Sequence, residues 1–156
     1  MGLRHSILND PVSRLELRPV ILVEREATVA ATVRRMREQR LGCSVVVDGD
    51  GRPVGKFTEH LLVSLLLRDA SAMQAPVSEQ MSADWDAVGL DDPIARVIEC
   101  MESKRVRYVI VIDDDGRPIH LTGLKGVVRY VSDHFPRQVQ VQPDGAKLYM
   151  DEREGA

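Results

Sequence analysis

The chain has 156 residues, of which 44% are hydrophobic, 29% are charged and 4% are aromatic. This length suits one compact domain or two small interlocked ones. The net charge of -3 and the scarcity of aromatic residues disfavour nucleic-acid binding, which needs clustered positive charge and stacking surfaces. No apolar run reaches the roughly 18 residues of a membrane span. We therefore predict a cytoplasmic protein without nucleic-acid or membrane partners.

The predicted elements begin after an N-terminal lead over residues 1–9 and follow the order strand, helix, strand, strand, helix. Short runs rich in valine and isoleucine predict the strands, and apolar residues at helical spacing predict the helices. An Asp/Gly turn between the second and third strands is typical of a hairpin. The strands span residues 20–23, 44–48 and 53–57, and the helices carry Val29, Val33 and Met36, and then Leu61, Leu62, Leu65 and Leu66.

The same order returns after a hinge of polar and small residues at 69–75. Pro11-Val12-Ser13 recurs as Pro76-Val77-Ser78, an offset of 65 residues. Without a gap, this offset also carries Gly51-Arg52-Pro53 onto Gly116-Arg117-Pro118. Such a register over most of the chain indicates an internal repeat.

These boundaries divide the chain into a lead (1–9), a first repeat (10–74), a second repeat (75–135) and a partly disordered C-terminal tail (136–156). Each repeat has one apolar sheet face and too little material to cover it alone. We therefore predict an α+β fold in which two β-α-β-β-α repeats pack against each other about a pseudo-two-fold axis.

An apolar strand ending in Asp, a Gly-Arg-Pro turn and the run Gly55-Lys56-Phe57-Thr58-Glu59 resemble the cystathionine-β-synthase-type (CBS) domain family. The resemblance covers residues 10–135, and the ending 128–136 is similar to the close of stand-alone bacterial CBS-pair proteins. It implies up to two clefts between the repeats, with AMP, ADP, ATP or S-adenosylmethionine as ligands. No nucleophile elbow, P-loop or zinc-protease motif is present in the sequence, so we predict no enzyme activity.

The family's binding signature, as the resemblance supplies it, is Gly, two mostly apolar residues, Thr or Ser, two variable residues and Asp. The first repeat keeps Gly55 and Thr58 but has Leu61 where the ribose-binding Asp belongs. If a nucleotide binds, we expect it in the cleft built on Thr58, with Lys56 or His60 giving positive charge to a phosphate. The candidate residues of this cleft are Ser44, Gly55, Lys56, Phe57, Thr58, His60 and Leu61.

The second repeat departs further from the signature, with His120 for the Gly, Gly123 for the Thr and Gly126 for the Asp. We expect this second, degenerate cleft to be the poorer one, because His120 adds an imidazole where the family has open backbone. Each lost hydrogen bond to a charged group costs about 1.5–3 kcal/mol. The candidate residues are Tyr108, His120, Thr122, Gly123, Lys125 and Gly126.

Two functions follow as alternatives. The first is a non-catalytic regulatory module that senses an adenosine-containing or other anionic small molecule in a cleft between the repeats. The second is a ligand-free homodimeric scaffold, with degenerate nucleotide sites, for an unknown protein partner.

Three further patterns have their own interpretations. The apolar runs Leu61–Leu67 and Val127–Val131 are interpreted as homodimer contacts, since the corresponding helices form the dimer surface in the family; plain core packing is the alternative.

Arg34, Arg35, Arg37 and Arg40 form either an anion-binding patch or a solvated helix face. The four histidines lack metal-site spacing, so no metal is predicted.

Overall fold

The computed structural model describes residues 2–135, and the predicted tail at 136–156 lies outside the described residues. The described strands are β1 (Arg18–Pro19), β2 (Leu22–Glu24), β3 (Cys43–Val47), β4 (Pro53–Thr58), β5 (Ala87–Gly89), β6 (Tyr108–Ile112) and β7 (Pro118–Gly123). They form two sheets, with orders β2-β3-β4 and β1-β7-β6-β5. The helices are α1 (Leu3–Asn9), α2 (Val29–Gln39), α3 (Glu59–Arg68), α4 (Val77–Gln80), α5 (Ile94–Lys104) and α6 (Leu124–His134).

Both repeats build their sheets in the same way. β2 pairs in parallel with β3, which pairs antiparallel with β4, and β5, β6 and β7 repeat this arrangement. Each hairpin turn places a glycine at positive φ, 77° for Gly51 and 79° for Gly116, a conformation that favours glycine because it lacks a Cβ. In the first turn the Asp48 carboxylate accepts hydrogen bonds from the N–H groups of Asp50 and Arg52.

Each repeat begins with a segment that packs on the other repeat. These exchanged opening segments are residues 11–18 of the first repeat and 76–82 of the second. Val12 lies fully buried in the core of the second repeat, whereas its counterpart Val77 lies in the core of the first. Pro11 forms a β-bridge to Pro93, and Pro76 forms the matching bridge to Thr28. The predicted boundaries at residues 10 and 75 therefore describe the order of the repeats along the chain. In space, the first residues of each repeat belong to the core of the other one.

A further apolar cluster lies between the two sheets and joins the repeats. It consists of Cys43, Val45, Val47, Ile110 and Leu121. Burial raises the pKa of the Cys43 thiol to about 12, so this cysteine is a protonated core residue near neutral pH. The predicted α+β pair of β-α-β-β-α repeats is confirmed. Among residues 2–135, no helix combines the length and the apolarity that crossing a membrane requires.

Candidate ligand-binding cleft

A cavity of about 250 Å³ lies between the repeats at the start of helix α6. The turn from β7 into α6 forms one wall, and the loop before β6 forms another. The exchanged N-terminal segment and the junction of α2 with β3 close the remaining sides. The lining residues are Glu16, Arg18, Glu59, Arg107, Tyr108 and the segments 40–42 and 121–126.

Helix α6 begins at the cavity without a side-chain cap. The residue before it is Gly123, where a Cβ would overlap the carbonyl oxygen of Arg107. Only glycine lets the end of β7 pack this closely on the Arg107 loop. The N–H groups in the first turn of a helix lack intrahelical partners, and the helix dipole adds positive potential there. The Leu124 N–H donates to the Arg107 carbonyl oxygen, at 3.2 Å, so the next N–H groups of this turn are the ones that suit an anion.

Four cationic residues line the cavity: Arg18, Arg40, Arg107 and Lys125. None of them forms a salt bridge with another residue of the described range. Of the two acidic residues in the lining, Glu16 pairs with Arg129, at 2.6 Å. Among the described lining residues, Glu59 is thus the one acidic residue not already paired, against four cations. The cavity therefore carries excess positive charge, which would stabilise an anionic ligand.

The hydroxyl of Thr122, also in the cavity lining, is buried and has no hydrogen-bond partner among the described residues. Thr122 is only 4% exposed. Nearly all buried polar groups in folded proteins have a partner, and leaving one unpaired costs about 1–3 kcal/mol. The orphaned hydroxyl is therefore a second sign that the lining is built to meet a polar group.

Another part of the cavity lining is polar and is formed by Tyr108 and Glu59 around Gly42. A Cβ on Gly42 would lie 2.5 Å from the Tyr108 hydroxyl and 2.8 Å from the Glu59 carboxylate. Burial raises the pKa of Tyr108, and the Glu59 charge adds to the effect. The phenol consequently stays protonated and can donate a hydrogen bond at neutral pH.

The residues predicted around Thr58 lie apart from this cavity. The Thr58 hydroxyl caps helix α3 by accepting a hydrogen bond from the Leu61 N–H, at 3.4 Å. Met81 and Ser82 of the exchanged segment cover Gly55, where an added Cβ would lie 2.5 Å from the Met81 sulfur. Of the other residues predicted there, Ser44 and Phe57 are fully buried, Leu61 packs against the first core and His60 is exposed.

Lys56 is buried, at 7% exposure. It pairs in register with Val45, so its side chain leaves the same face of the sheet, toward the cluster between the repeats. The 65-residue offset makes Leu121, a member of that cluster, its counterpart. Leucine would fill this position without bringing a charge to it, whereas the Lys56 ammonium, which helps to lower the pKa of the Asp84 carboxyl, has to extend to the edge of the cluster.

Replacing Lys56 by leucine is therefore expected to raise the free energy of unfolding by about 1 kcal/mol. Urea denaturation of Lys56→Leu against the unmodified protein measures the change. Lys125→Leu is the matched control, since Lys125 is exposed and its replacement should alter stability by less than about 0.5 kcal/mol. A clear loss of stability in Lys56→Leu would contradict this assignment and indicate a polar partner for Lys56.

In the second cleft, the structure brings together five of the six residues predicted there. Tyr108, Thr122, Gly123, Lys125 and Gly126 all line the cavity. The sixth, His120, is half-buried and pairs across strands with Pro19 and Val111. The imidazole that was expected to impair this cleft is thus outside the cavity lining.

Several lining residues were not found by sequence reasoning. Glu16 and Arg18 reach the cavity through the exchange of opening segments, which no local pattern records. Gly42 and Arg107 occupy equivalent positions in the two repeats, so a residue-by-residue comparison of the copies could have found them. Within residues 2–135, no group of three metal-ligating side chains is placed to hold a metal ion.

Comparison with known proteins finds the same family in both repeats. The CBS domain model matches residues 12–68 and 77–133. An uncharacterized 17.7 kDa protein of Acidianus ambivalens is 27% identical over 123 residues, covering 78% of this chain and 73% of that protein. An arabinose 5-phosphate isomerase of Pseudomonas aeruginosa is 26% identical over 111 residues, 71% of this chain but 33% of the isomerase.

Solved structures share the fold. A CBS-domain protein from Agrobacterium tumefaciens is 26% identical, with a TM-score of 0.64, covering 72% of this chain and 84% of that one. A CBS-domain protein from Pyrobaculum aerophilum, complexed with AMP, is 20% identical with a TM-score of 0.68 over 74% of this chain and 88% of that one. The CBS-domain pair of protein MJ0100, in complex with 5'-methylthioadenosine and S-adenosyl-L-methionine, is 18% identical with a TM-score of 0.71, covering 80% and 97%.

Proposed function

Because the chain belongs to the CBS-domain family, we propose that it is a non-catalytic regulatory module that binds a small anionic ligand in the cleft at the start of α6. The observation that carries the proposal is a cavity at a helix start without a side-chain cap, lined by four cations that lack salt-bridge partners among residues 2–135. Ligand binding would be the input signal. The paired repeats, which share the cavity walls, would respond to it.

The first ligands to test come from the family. AMP is bound in the Pyrobaculum aerophilum relative, and S-adenosyl-L-methionine in the pair from protein MJ0100. Positive charge in the present cleft favours the phosphate-bearing compounds among AMP, ADP, ATP and S-adenosylmethionine. We therefore propose that the ligand binds in the cleft of the second repeat and not at Thr58, whose hydroxyl caps a helix.

A thermal-shift series tests the proposal. A ligand that binds only the folded state at 100 times its dissociation constant stabilises the protein by about 2.7 kcal/mol, which corresponds to a rise in Tm of several degrees for a domain of this size. We expect such a rise with ADP or ATP and a much smaller one in Arg107→Ala. Arg34→Ala, on the exposed face of α2, is the control and should respond like the unmodified protein.

The absence of any shift at millimolar concentrations of all four compounds would argue against ligand sensing by these nucleotides. A shift that Arg107→Ala leaves unchanged would place the ligand elsewhere in the protein.

An exposed apolar surface supports the interaction function as a second candidate. Within the predicted contact Leu61–Leu67, Leu65 is core, but Leu67 is 84% exposed and Val63 is 57% exposed. Val128 on α6 is the repeat counterpart of Val63 and is 54% exposed. Paired apolar faces on α3 and α6 are typical of a protein–protein contact, and we propose that they form a homodimer interface.

A further inference from the structure

We infer, on the basis of the proposed function, that the cleft recognises a compact phosphorylated ligand through its phosphate groups and makes no specific contact with a nucleoside. The inference depends on three properties of the cavity: where its positive charge lies, what occupies the place of the family's ribose contact, and how much room remains.

The phosphate end of the cavity is at the start of α6, an 11-residue helix. Arg107 and Lys125 both line the cavity there, and the first-turn N–H groups after Leu124 lack intrahelical partners. Arginine and lysine, together with a helix N-terminus, are the usual protein partners of phosphate. The unpartnered Thr122 hydroxyl is buried in the wall of the same cavity, so a polar ligand would satisfy it after a small shift of that wall.

The position of the family's ribose-binding Asp carries no carboxylate in this cleft. The residue there is Gly126, where an added Cβ would already lie 3.1 Å from the Glu16 carbonyl oxygen and 3.1 Å from the Thr122 hydroxyl. Any side chain at this position would therefore press on the main chain of the exchanged segment. The close approach of that segment favours glycine here and removes the contact that holds ribose in the family.

The remaining space also favours a small ligand. The cavity volume of about 250 Å³ lies below the roughly 300–1,000 Å³ of sites for drug-sized molecules. Around Gly42, Tyr108 and Glu59 offer a hydrogen-bond donor and an acceptor to the cavity. Because the Glu59 carboxylate would repel a second anionic group, this part of the lining suits hydroxyl groups, as in a sugar phosphate.

Isothermal titration of the full chain with pyrophosphate, ADP, glucose 6-phosphate and adenosine tests the inference. We expect pyrophosphate to bind within about threefold of ADP, and adenosine at millimolar concentration to give no saturable heat. Lys125→Ala and Arg107→Ala should each weaken pyrophosphate binding by about 10-fold or more. Glu59→Gln should strengthen it by about two- to fivefold through loss of repulsion. Arg34→Ala is the control and should leave every titration unchanged.

The outcomes separate the inference from the proposed function. If ADP bound at least tenfold more tightly than pyrophosphate, or if adenosine bound saturably, the cleft would recognise a nucleoside and the inference would be overturned, while the proposed regulatory site would stand. Pyrophosphate binding that is indifferent to both Arg107→Ala and Lys125→Ala would also overturn it. If none of the four compounds bound, both the inference and the proposed anionic ligand would fail.

Discussion

Replacing Gly123 by threonine, the residue type that the family signature has at this position, is expected to destabilise the protein by about 4 kcal/mol or more. A Cβ at this position would overlap the carbonyl oxygen of Arg107, and backbone atoms cannot yield as a flexible side chain can. The strand end and the Arg107 loop would have to separate, which would also open the cavity wall. Urea denaturation followed by circular dichroism measures the loss.

Two other glycines provide controls. Gly49→Ala should change stability by less than about 0.5 kcal/mol, because a Cβ there would meet nothing within 4 Å. Gly116→Ala should cost about 1–2 kcal/mol, because Gly116 has a φ of +79° but open space around its Cβ position. If Gly123→Thr does not fold, Gly123→Ala gives the measurement. A cost for Gly123→Ala no larger than that for Gly116→Ala would show that the contact with Arg107 is unimportant.

The Gly123 contact changes the interpretation of the degenerate signature. Taken from the sequence, the loss of Thr at this position indicated a weakened site. In the structure the same glycine lets β7 approach the Arg107 loop and leaves the start of α6 without a side-chain cap. The Leu124 N–H donates to the Arg107 carbonyl oxygen, and the next N–H groups of the turn have no intrahelical partner. In the first repeat, the retained Thr58 uses its hydroxyl to cap α3. In the first repeat the signature Thr is thus present, but its hydroxyl is already used as a helix cap. In the second repeat the Thr is absent, and the helix start has no side-chain cap.

Sequence reasoning was sufficient for features that local chemistry and periodicity determine. The hairpins follow from Asp48 and Asp113 and the glycines three residues after each. The short buried strands follow from runs rich in valine and isoleucine such as 109–113, which the structure places one residue earlier, at Tyr108–Ile112. These patterns need only neighbouring residues, so the 65-residue offset carried them correctly into both copies.

The location of the cavity could not be predicted in the same way. It depends on the exchange of opening segments, which brings Glu16 and Arg18 onto the second repeat and Met81 onto Gly55 of the first. The matching motifs at Pro11 and Pro76 are equally compatible with packing on either repeat. The long-range contacts of Val12 and Val77 decide between them.

The exposed apolar faces of α3 and α6 predict that charged substitutions on these helices disrupt the proposed dimer. Leu67→Glu combined with Val128→Glu is expected to convert a dimer to a monomer, because each substitution puts a charge into an interface that buries apolar side chains. Sedimentation equilibrium should then give the mass of one chain, 17.4 kDa, for the variant and twice that mass for the unmodified protein. Gln39→Glu, on the exposed side of α2, adds one charge elsewhere and should leave the dimer intact.

The dimer and the cleft should also be coupled, since both helices connect the two surfaces. α3 begins with Glu59 and α6 carries Lys125 in its first turn, both in the cavity lining, and the same helices present Leu67 and Val128 outward. If a phosphate ligand repositions the start of α6, the cleft of each protomer is linked to the dimer, and saturation of both clefts must change the dimerisation constant by the square of the factor by which dimerisation changes the affinity of one cleft. Sedimentation with and without saturating pyrophosphate measures the change in the dimerisation constant. Titration of the monomeric double variant measures the affinity factor, and a departure from the square relation would show that the monomer differs in more than its missing partner.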